Sequence, residues 1–275
     1  MTSGLTFIDD ARVRIASLQP SVTVTLRDLG RLDTLVACTK YCADVCPEVR
    51  ERGIRIIQDS WTAKSDEITA ARPDIVIASV PYQMEAVSEI IKSGVRFLGL
   101  GPKSLEDVFA DIRVIARLVG VEQQGDTVVR EMKHAIDEVL SRTRALPWLR
   151  VFCEEWGKPI IHSQGWVAEL INAAGGEFIG PPGKHTTSDA IRDENPDVIL
   201  AAWCGAGDRV PLEKIIRDRN WSQTAAAQTG RVYCIADELL NTPASTLIGG
   251  LRAIAWALHP DYFSKPPGIR AIEPL

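Results

Sequence analysis

The sequence predicts an α/β fold made of two lobes joined by one long helix, and three observations carry that expectation. Short apolar runs bounded by turn residues alternate with longer amphipathic stretches, the pattern of parallel strands with helices packed on them. The alternation occurs twice, once on each side of residues 104–144. That middle stretch holds two successive helical patterns with a break only at Gly120.

In the first half the apolar runs are residues 13–17, 35–38, 74–79 and 95–98. Each has the length and composition of a strand buried on both faces. In the second half the runs are 150–153, 159–161, 197–202 and 231–235, with helices expected over 166–174, 211–218 and 243–258. Between the halves, residues 121–146 contain no proline, and Val128, Met132, Ala135, Val139 and Leu140 form an apolar stripe at helical spacing. Pro147 should stop this helix, because its ring removes a backbone donor and clashes with the preceding turn. The expected layout is therefore a Rossmann-like α/β lobe over residues 1–119, a backbone helix over 120–147 and a second Rossmann-like lobe over 148–275. A rigid helical link predicts limited lobe closure.

The 275 residues are 45% hydrophobic and 24% charged, enough for two modest cores. The formal net charge is -5 and no Lys/Arg block tracks a phosphate backbone, which points to small molecules or proteins as partners and away from nucleic acid. No run approaches the ~20 apolar residues needed to cross a bilayer. Residues 1–10 have neither a basic n-region nor an apolar h-region, so no export signal is visible. The sequence thus leaves open the mature part of an exported precursor and a cytoplasmic protein.

Catalytic signatures are missing. Gly99-Leu100-Gly101-Pro102 and Gly205-Ala206-Gly207-Asp208 do not complete a G-x-G-x-x-G turn, and there is no Walker loop, G-x-S-x-G elbow or H-E-x-x-H pair. No catalytic residues and no metal site are expected, and the chain reads as a non-enzyme. Cys38, Cys42 and Cys46 have three residues between neighbours, unlike the two-residue spacing of a zinc pair, which favours a disulfide or plain thiols. Cys153, Cys204 and Cys234 lie in apolar runs and are expected as buried thiols. His134 and His259 read as solvated or capping residues. His162 and His185 fall in loops of the second lobe, where a two-histidine metal site with a carboxylate such as Asp237 is weaker than an organic-ligand pocket. Tyr41, Trp61, Tyr82, Trp156, Trp166 and Trp203 stand at strand ends or in loops. Ligands of open α/β sheets sit outside the carboxyl ends of strands, and aromatic faces grip a large, flat, mostly apolar one.

The segment Ser17-Leu18-Gln19-Pro20-Ser21-Val22-Thr23 resembles the S-L-x-P-S-x-T opening of the cobalamin- and siderophore-binding proteins of ABC importers. In that opening Ser21 or Thr23 would supply the helix N-cap, and Val24 stands where the family usually carries Glu. Further matches follow in order: Tyr41-Cys42 with Cys46-Pro47, Arg72-Pro73-Asp74 running into Ile75, Pro102-Lys103-Ser104, Glu155-Trp156, Gly165-Trp166, Ala174-Gly175-Gly176, Asn195-Pro196-Asp197 and His259-Pro260. Together they span nearly the whole chain.

The resemblance implies a two-lobed substrate-binding component of an ABC importer, with its ligand in a cleft between the lobes. The ligand it implies is cobalamin (vitamin B12) or a related corrinoid, carried as cargo and delivered to a permease by a monomer. It implies a periplasmic or cell-surface location. Family positions carry over to Tyr41, Trp156, the loop holding His162, Gln164 and Trp166, and the loop from Glu238 to Asn241. Trp61, Tyr82 and Trp203 join the ligand set on aromatic placement alone. Glu85 and Asp189 are the carboxylates implied to dock on permease arginines. An iron-siderophore, haem or metal-ion binder of the same fold stays open, as does a cytosolic α/β enzyme or cobalamin-handling protein. Siderophore binders commonly cluster arginines in the cleft, and none cluster here.

Overall fold

A computed structural model describes residues 13–57, 65–79 and 84–273, with the side chains of residues 65, 79 and 84–86 left outside the description. The chain divides into two compact units, one of Met1–Gly101 with Val114–Gly125 and one of Pro102–Arg113 with Asp126–Leu275. The expected α/β architecture of two lobes is borne out.

The first unit is built from β1 (Ile15–Ser17), α1 (Pro20–Asp28), β2 (Leu35–Thr39), α2 (Lys40–Val45), α3 (Glu48–Glu51), β3 (Arg55–Ile57), α4 (Ser65–Thr69), β4 (Ile75–Ser79), α5 (Met84–Lys92) and β5 (Arg96–Leu100). Its five strands are all parallel, in the order β3-β2-β1-β4-β5. The chain starts at the centre, winds one way to β3, then crosses to β4, which puts a topological switch point at the carboxyl ends of β1 and β4. Ala16, Ala37, Val76 and Ala78 pack one face of the sheet with Ile68 and Ile90 of the helices. The start of α1 differs from expectation. Its N-cap is Gln19, with Pro20 at the first helical position, where a missing N–H costs nothing. Thr23 Oγ1 instead donates to Ser17 Oγ at 2.9 Å, and Ser17 Oγ donates to the Gln19 carbonyl at 2.8 Å, so these buried hydroxyls tie the helix back onto β1.

Two helices follow, α6 (Leu105–Leu118) and α7 (Glu122–Thr143), separated at Gly120, whose φ of +70° ends the first. The apolar stripe of α7 has a destination. Val129, Met132 and Val139 are buried with Leu105, Val108, Phe109 and Ile112 of α6 in the core of the second unit. The helix closes at Thr143, four residues before Pro147.

The second unit continues with β6 (Leu149–Gly157), β7 (Ile160–His162), α8 (Gly165–Ala173), β8 (Gly176–Phe178), β9 (His185–Thr186), α9 (Ser188–Glu194), β10 (Val198–Ala201), α10 (Leu212–Asp218), α11 (Ala225–Gln228), β11 (Val232–Ile235), α12 (Leu247–Leu258) and β12 (Ile269–Ala271). The sheet order is β12-β11-β10-β6-β7-β9, with β8 also paired to β6. Strands β6, β10 and β11 run parallel at the centre, while β7 and β12 are antiparallel to their neighbours. Alternation sorts these strands onto two cores: Val151, Cys153, Val198 and Leu200 face one, Phe152, Ile199 and Ala201 the other. Each such buried aliphatic contributes about 1.5–3 kcal/mol relative to exposure, which is why unbroken apolar runs mark these strands.

All six cysteines are free thiols, and Cys38, Cys42, Cys46, Cys153 and Cys234 are fully buried. Cys204 is a correction: it is exposed, because β10 ends at Ala201 and the chain has turned out of the core three residues later. His134 is exposed on α7, and His259 is buried at the end of α12, where burial pushes its imidazole below the ordinary value. Among the described residues no helix is long and apolar enough to cross a membrane.

Candidate functional site

The carboxyl ends of β6, β10 and β11 gather a polar cluster within the second unit. The run Gly205-Ala206-Gly207 after β10 adopts positive φ at both glycines, +77° and +60°, which turns their N–H groups toward one point. The carboxylate of Asp237, just after β11, fills that point, accepting from Gly205 N at 2.8 Å and from Gly207 N at 2.7 Å. A Gly-x-Gly turn that lacks a phosphate motif is thus closed by the protein's own acid.

Asn241 ends the same turn. Its Nδ2 donates to the Ala202 carbonyl at 2.7 Å and to Cys204 Sγ at 3.3 Å. Its Oδ1 is buried without a hydrogen-bond partner among the described residues. Glu155, near the end of β6, accepts from Gln164 Nε2 at 2.6 Å and from the Cys204 thiol at 3.8 Å. Burial pushes the Glu155 carboxyl above its ordinary value, and these two donors oppose the rise. Gln164 is the N-cap residue of α8, so the cluster ties a helix start to three strand ends.

One residue back along each of the two segments lies a second, more deeply buried layer. Glu154 is fully buried, and Arg219 grips it with Nη1 at 2.7 Å and Nη2 at 2.9 Å. Trp203 Nε1 donates to the same carboxylate at 3.0 Å, and Arg219 Nη2 also reaches the Gly157 carbonyl at 3.1 Å. The guanidinium lies 4.8 Å from the Trp221 ring centre and 6.0 Å from that of Trp203. Burial raises the Glu154 carboxyl, and the bidentate guanidinium pulls it back.

The sequence-predicted residues fall in different places. Gln164 and Asn241 belong to the cluster, and Glu238 is half-buried beside Asp237 in the same turn. Trp156 is 43% exposed on the β6–β7 hairpin, its Nε1 donating to the Lys158 carbonyl at 2.8 Å. Trp203 is half-buried in the inner layer, on Glu154. Trp166 is 7% exposed, with Nε1 donating to the Leu240 carbonyl at 2.8 Å, and so pins α8 to the turn that carries Asn241. His162 is buried, its Nδ1 lying 2.9 Å from the Lys184 carbonyl and its ring meeting Phe152 edge-on at 5.5 Å. His185 is exposed on β9, and no three His, Cys, Asp or Glu side chains among the described residues are placed to hold a metal ion.

In the first unit Tyr41 is half-buried at the start of α2, with Lys40 Nζ 4.8 Å from its ring centre. Trp61 and Tyr82 lie outside the described residues, and Glu85 is on α5 with its side chain outside the description. Asp189 is exposed in the first turn of α9 and paired with Arg192 at 2.7 Å. Sequence reasoning did not place Glu155 or Cys204 in the ligand set. A signal for the first was present, since Glu154-Glu155 is an acidic pair closing an apolar strand.

Comparison with known proteins gives this arrangement a context. The chain is 23% identical over 265 residues to YvrC of Bacillus subtilis, an uncharacterized ABC transporter substrate-binding lipoprotein, covering 92% of this chain and 82% of that one. It is 22% identical over 269 residues to a cobalamin-binding protein of Halobacterium salinarum, covering 92% and 71%. A periplasmic haem-binding protein from Pseudomonas aeruginosa superposes with a TM-score of 0.82 at 18% identity over 95% of this chain and 98% of the other, a likeness of fold. The profile of the periplasmic binding protein family matches residues 15–239, most of the chain, and the chain belongs to that family of ABC transporter substrate-binding proteins.

Proposed function

We propose that this substrate-binding protein captures cobalamin or a related corrinoid and hands it to an ABC permease without chemical turnover. The observation that carries the reading is the character of the strand-end cluster. Glu155 and Glu238 are half-buried acids on that edge, Asp237 stands behind it on the Gly205 and Gly207 amides, and Asn241 Oδ1 is buried there without a partner among the described residues. Such an edge suits a ligand fringed with amide N–H donors, as a corrin is, and repels the carboxylates of haem or of anionic siderophores. The exposed Trp156 indole adds a flat apolar face. Tyr41, Trp61 and Tyr82 are proposed to contribute from the first unit.

Similarity to a cobalamin-binding protein supports the corrinoid, and similarity in fold to a haem-binding protein makes haem the alternative. For the permease, Glu85 and Asp189 are the proposed docking acids, and Asp189 would exchange its Arg192 partner for a permease arginine. Such docking is electrostatic and weakens with salt. The proposed location is outside the cytoplasmic membrane, with the protein acting as a monomer.

The test is a titration with cyanocobalamin, haem and a ferric siderophore, followed by tryptophan fluorescence and by comigration in gel filtration. One-to-one comigration of cyanocobalamin alone, with micromolar or tighter binding, is expected. Comigration of haem alone overturns the corrinoid.

A further inference from the structure

The two polar layers of the second unit are in register. Glu154 and Glu155 are neighbours on β6, and Trp203 and Cys204 are neighbours after β10. In the buried layer Trp203 bonds Glu154 at 3.0 Å, and in the outer layer Cys204 contacts Glu155 at 3.8 Å. Backbone bonds from Ala202 N to the Glu154 carbonyl at 2.9 Å and from Cys204 N to the Glu155 carbonyl at 3.2 Å lock the two segments together. Whatever holds Trp203 on Glu154 therefore sets where Cys204 and Glu155 stand.

We propose that Arg219 is a positioning residue for the ligand edge: its guanidinium clamps Glu154, the Gly157 carbonyl and two indoles, and so fixes both the Trp156 hairpin and the Cys204 turn. This rests on reading that edge as the ligand site. A guanidinium is needed because one planar group must serve a bidentate carboxylate, a carbonyl and two aromatic faces at once, which an ammonium cannot do. Side-chain exposure of 12% for Arg219 and 0% for Glu154 means that neither group contacts ligand in quantity. Their contribution is to the geometry of residues that do. A buried ion pair is a poor device for stability alone, since apolar replacement often does as well. Its value here lies in placing two adjacent backbone segments.

The test separates charge compensation from positioning. The variant combining Glu154→Gln with Arg219→Met removes both buried charges and leaves Trp203 an amide acceptor, so it folds without an unpaired carboxylate. Cys204 is the one exposed cysteine of the six, and its thiol is pushed up by burial and by the Glu155 and Asp237 charges, so its slow labelling by iodoacetamide reports the outer layer with no ligand present. The double variant is expected to label Cys204 roughly threefold faster or more, because the Glu155 contact loses its fixed register. Its cyanocobalamin Kd is expected to rise about tenfold, and Arg219→Lys should fall between it and the wild type on both readouts. A double variant that labels and binds like the wild type overturns the proposal. If the wild type itself does not bind cyanocobalamin, the corrinoid reading falls and the labelling rates alone decide the positioning. If the double variant does not fold, the Arg219→Lys rate decides, and a wild-type rate there overturns it.

Discussion

Gly157 lies directly beneath the Trp203 indole, so close that a Cβ on it would sit 2.4 Å from the ring. The contact ties the end of β6 to the turn after β10 without a hydrogen bond of its own. Gly157→Ala must therefore push the indole off Glu154. Loss of about 2 kcal/mol is expected, from overpacking and a broken bond to a buried carboxylate, measured by urea denaturation.

Asp237 serves as an internal counter-group for the Gly205 and Gly207 amides. Asp237→Ala leaves two N–H groups without their acceptor and frees the turn, at a cost of about 1–3 kcal/mol. Asp237→Asn should recover part of this. Faster amide hydrogen exchange at Gly205 and Gly207 in the alanine variant checks the assignment.

Two tryptophans from the predicted ligand set should behave oppositely. Trp156→Ala is expected to weaken cyanocobalamin binding about tenfold with little change in stability, since the ring is 43% exposed. Trp166→Ala should destabilise by about 3–5 kcal/mol, since it empties a core position and orphans the Leu240 carbonyl. Thermal denaturation beside the ligand titration distinguishes them.

Asp111 on α6 has its carboxyl pushed up to about 6 by burial and then by the nearby Asp107 charge. A carboxyl raised in the folded state gives stability that is full below its unfolded value and is lost as pH rises through about 6. Asp111→Asn should therefore stabilise the protein at pH 7 by about 1 kcal/mol after allowance for solvent screening, and should have no such effect at pH 4. Denaturation midpoints at the two pH values check the sign.

Much of this fold was legible because strands buried on both faces leave continuous apolar runs, as Val198–Ala201 and Val232–Ile235 do. Strands β3, β8, β9 and β12 were not legible. They are two or three residues long, and in β3 only Ile57 is buried, so no run announces them. The N-cap of α1 was misplaced because Pro20 had already fixed the helix start before Ser21 could act. At the site, the resemblance supplied Gln164 and Asn241, while Glu155 and Cys204 enter through cross-strand neighbours that linear spacing does not encode. Spacing is equally silent on whether an indole at a helix start turns outward or, as Trp166 does, inward.

The edge strands also bear on how this protein behaves at high concentration. The first sheet ends in β3 and β5, which expose Arg55 and Arg96, and the second ends in β12 and β9, which carry Arg270 and His185. Arg270 folds across its edge onto the carbonyls of Asp208 and Val210. A strand edge templates association with another chain; brevity blunts β3, β9 and β12, and arginine charge blunts β3, β5 and β12. Sheets that finish in this way resist zipping edge to edge into aggregates.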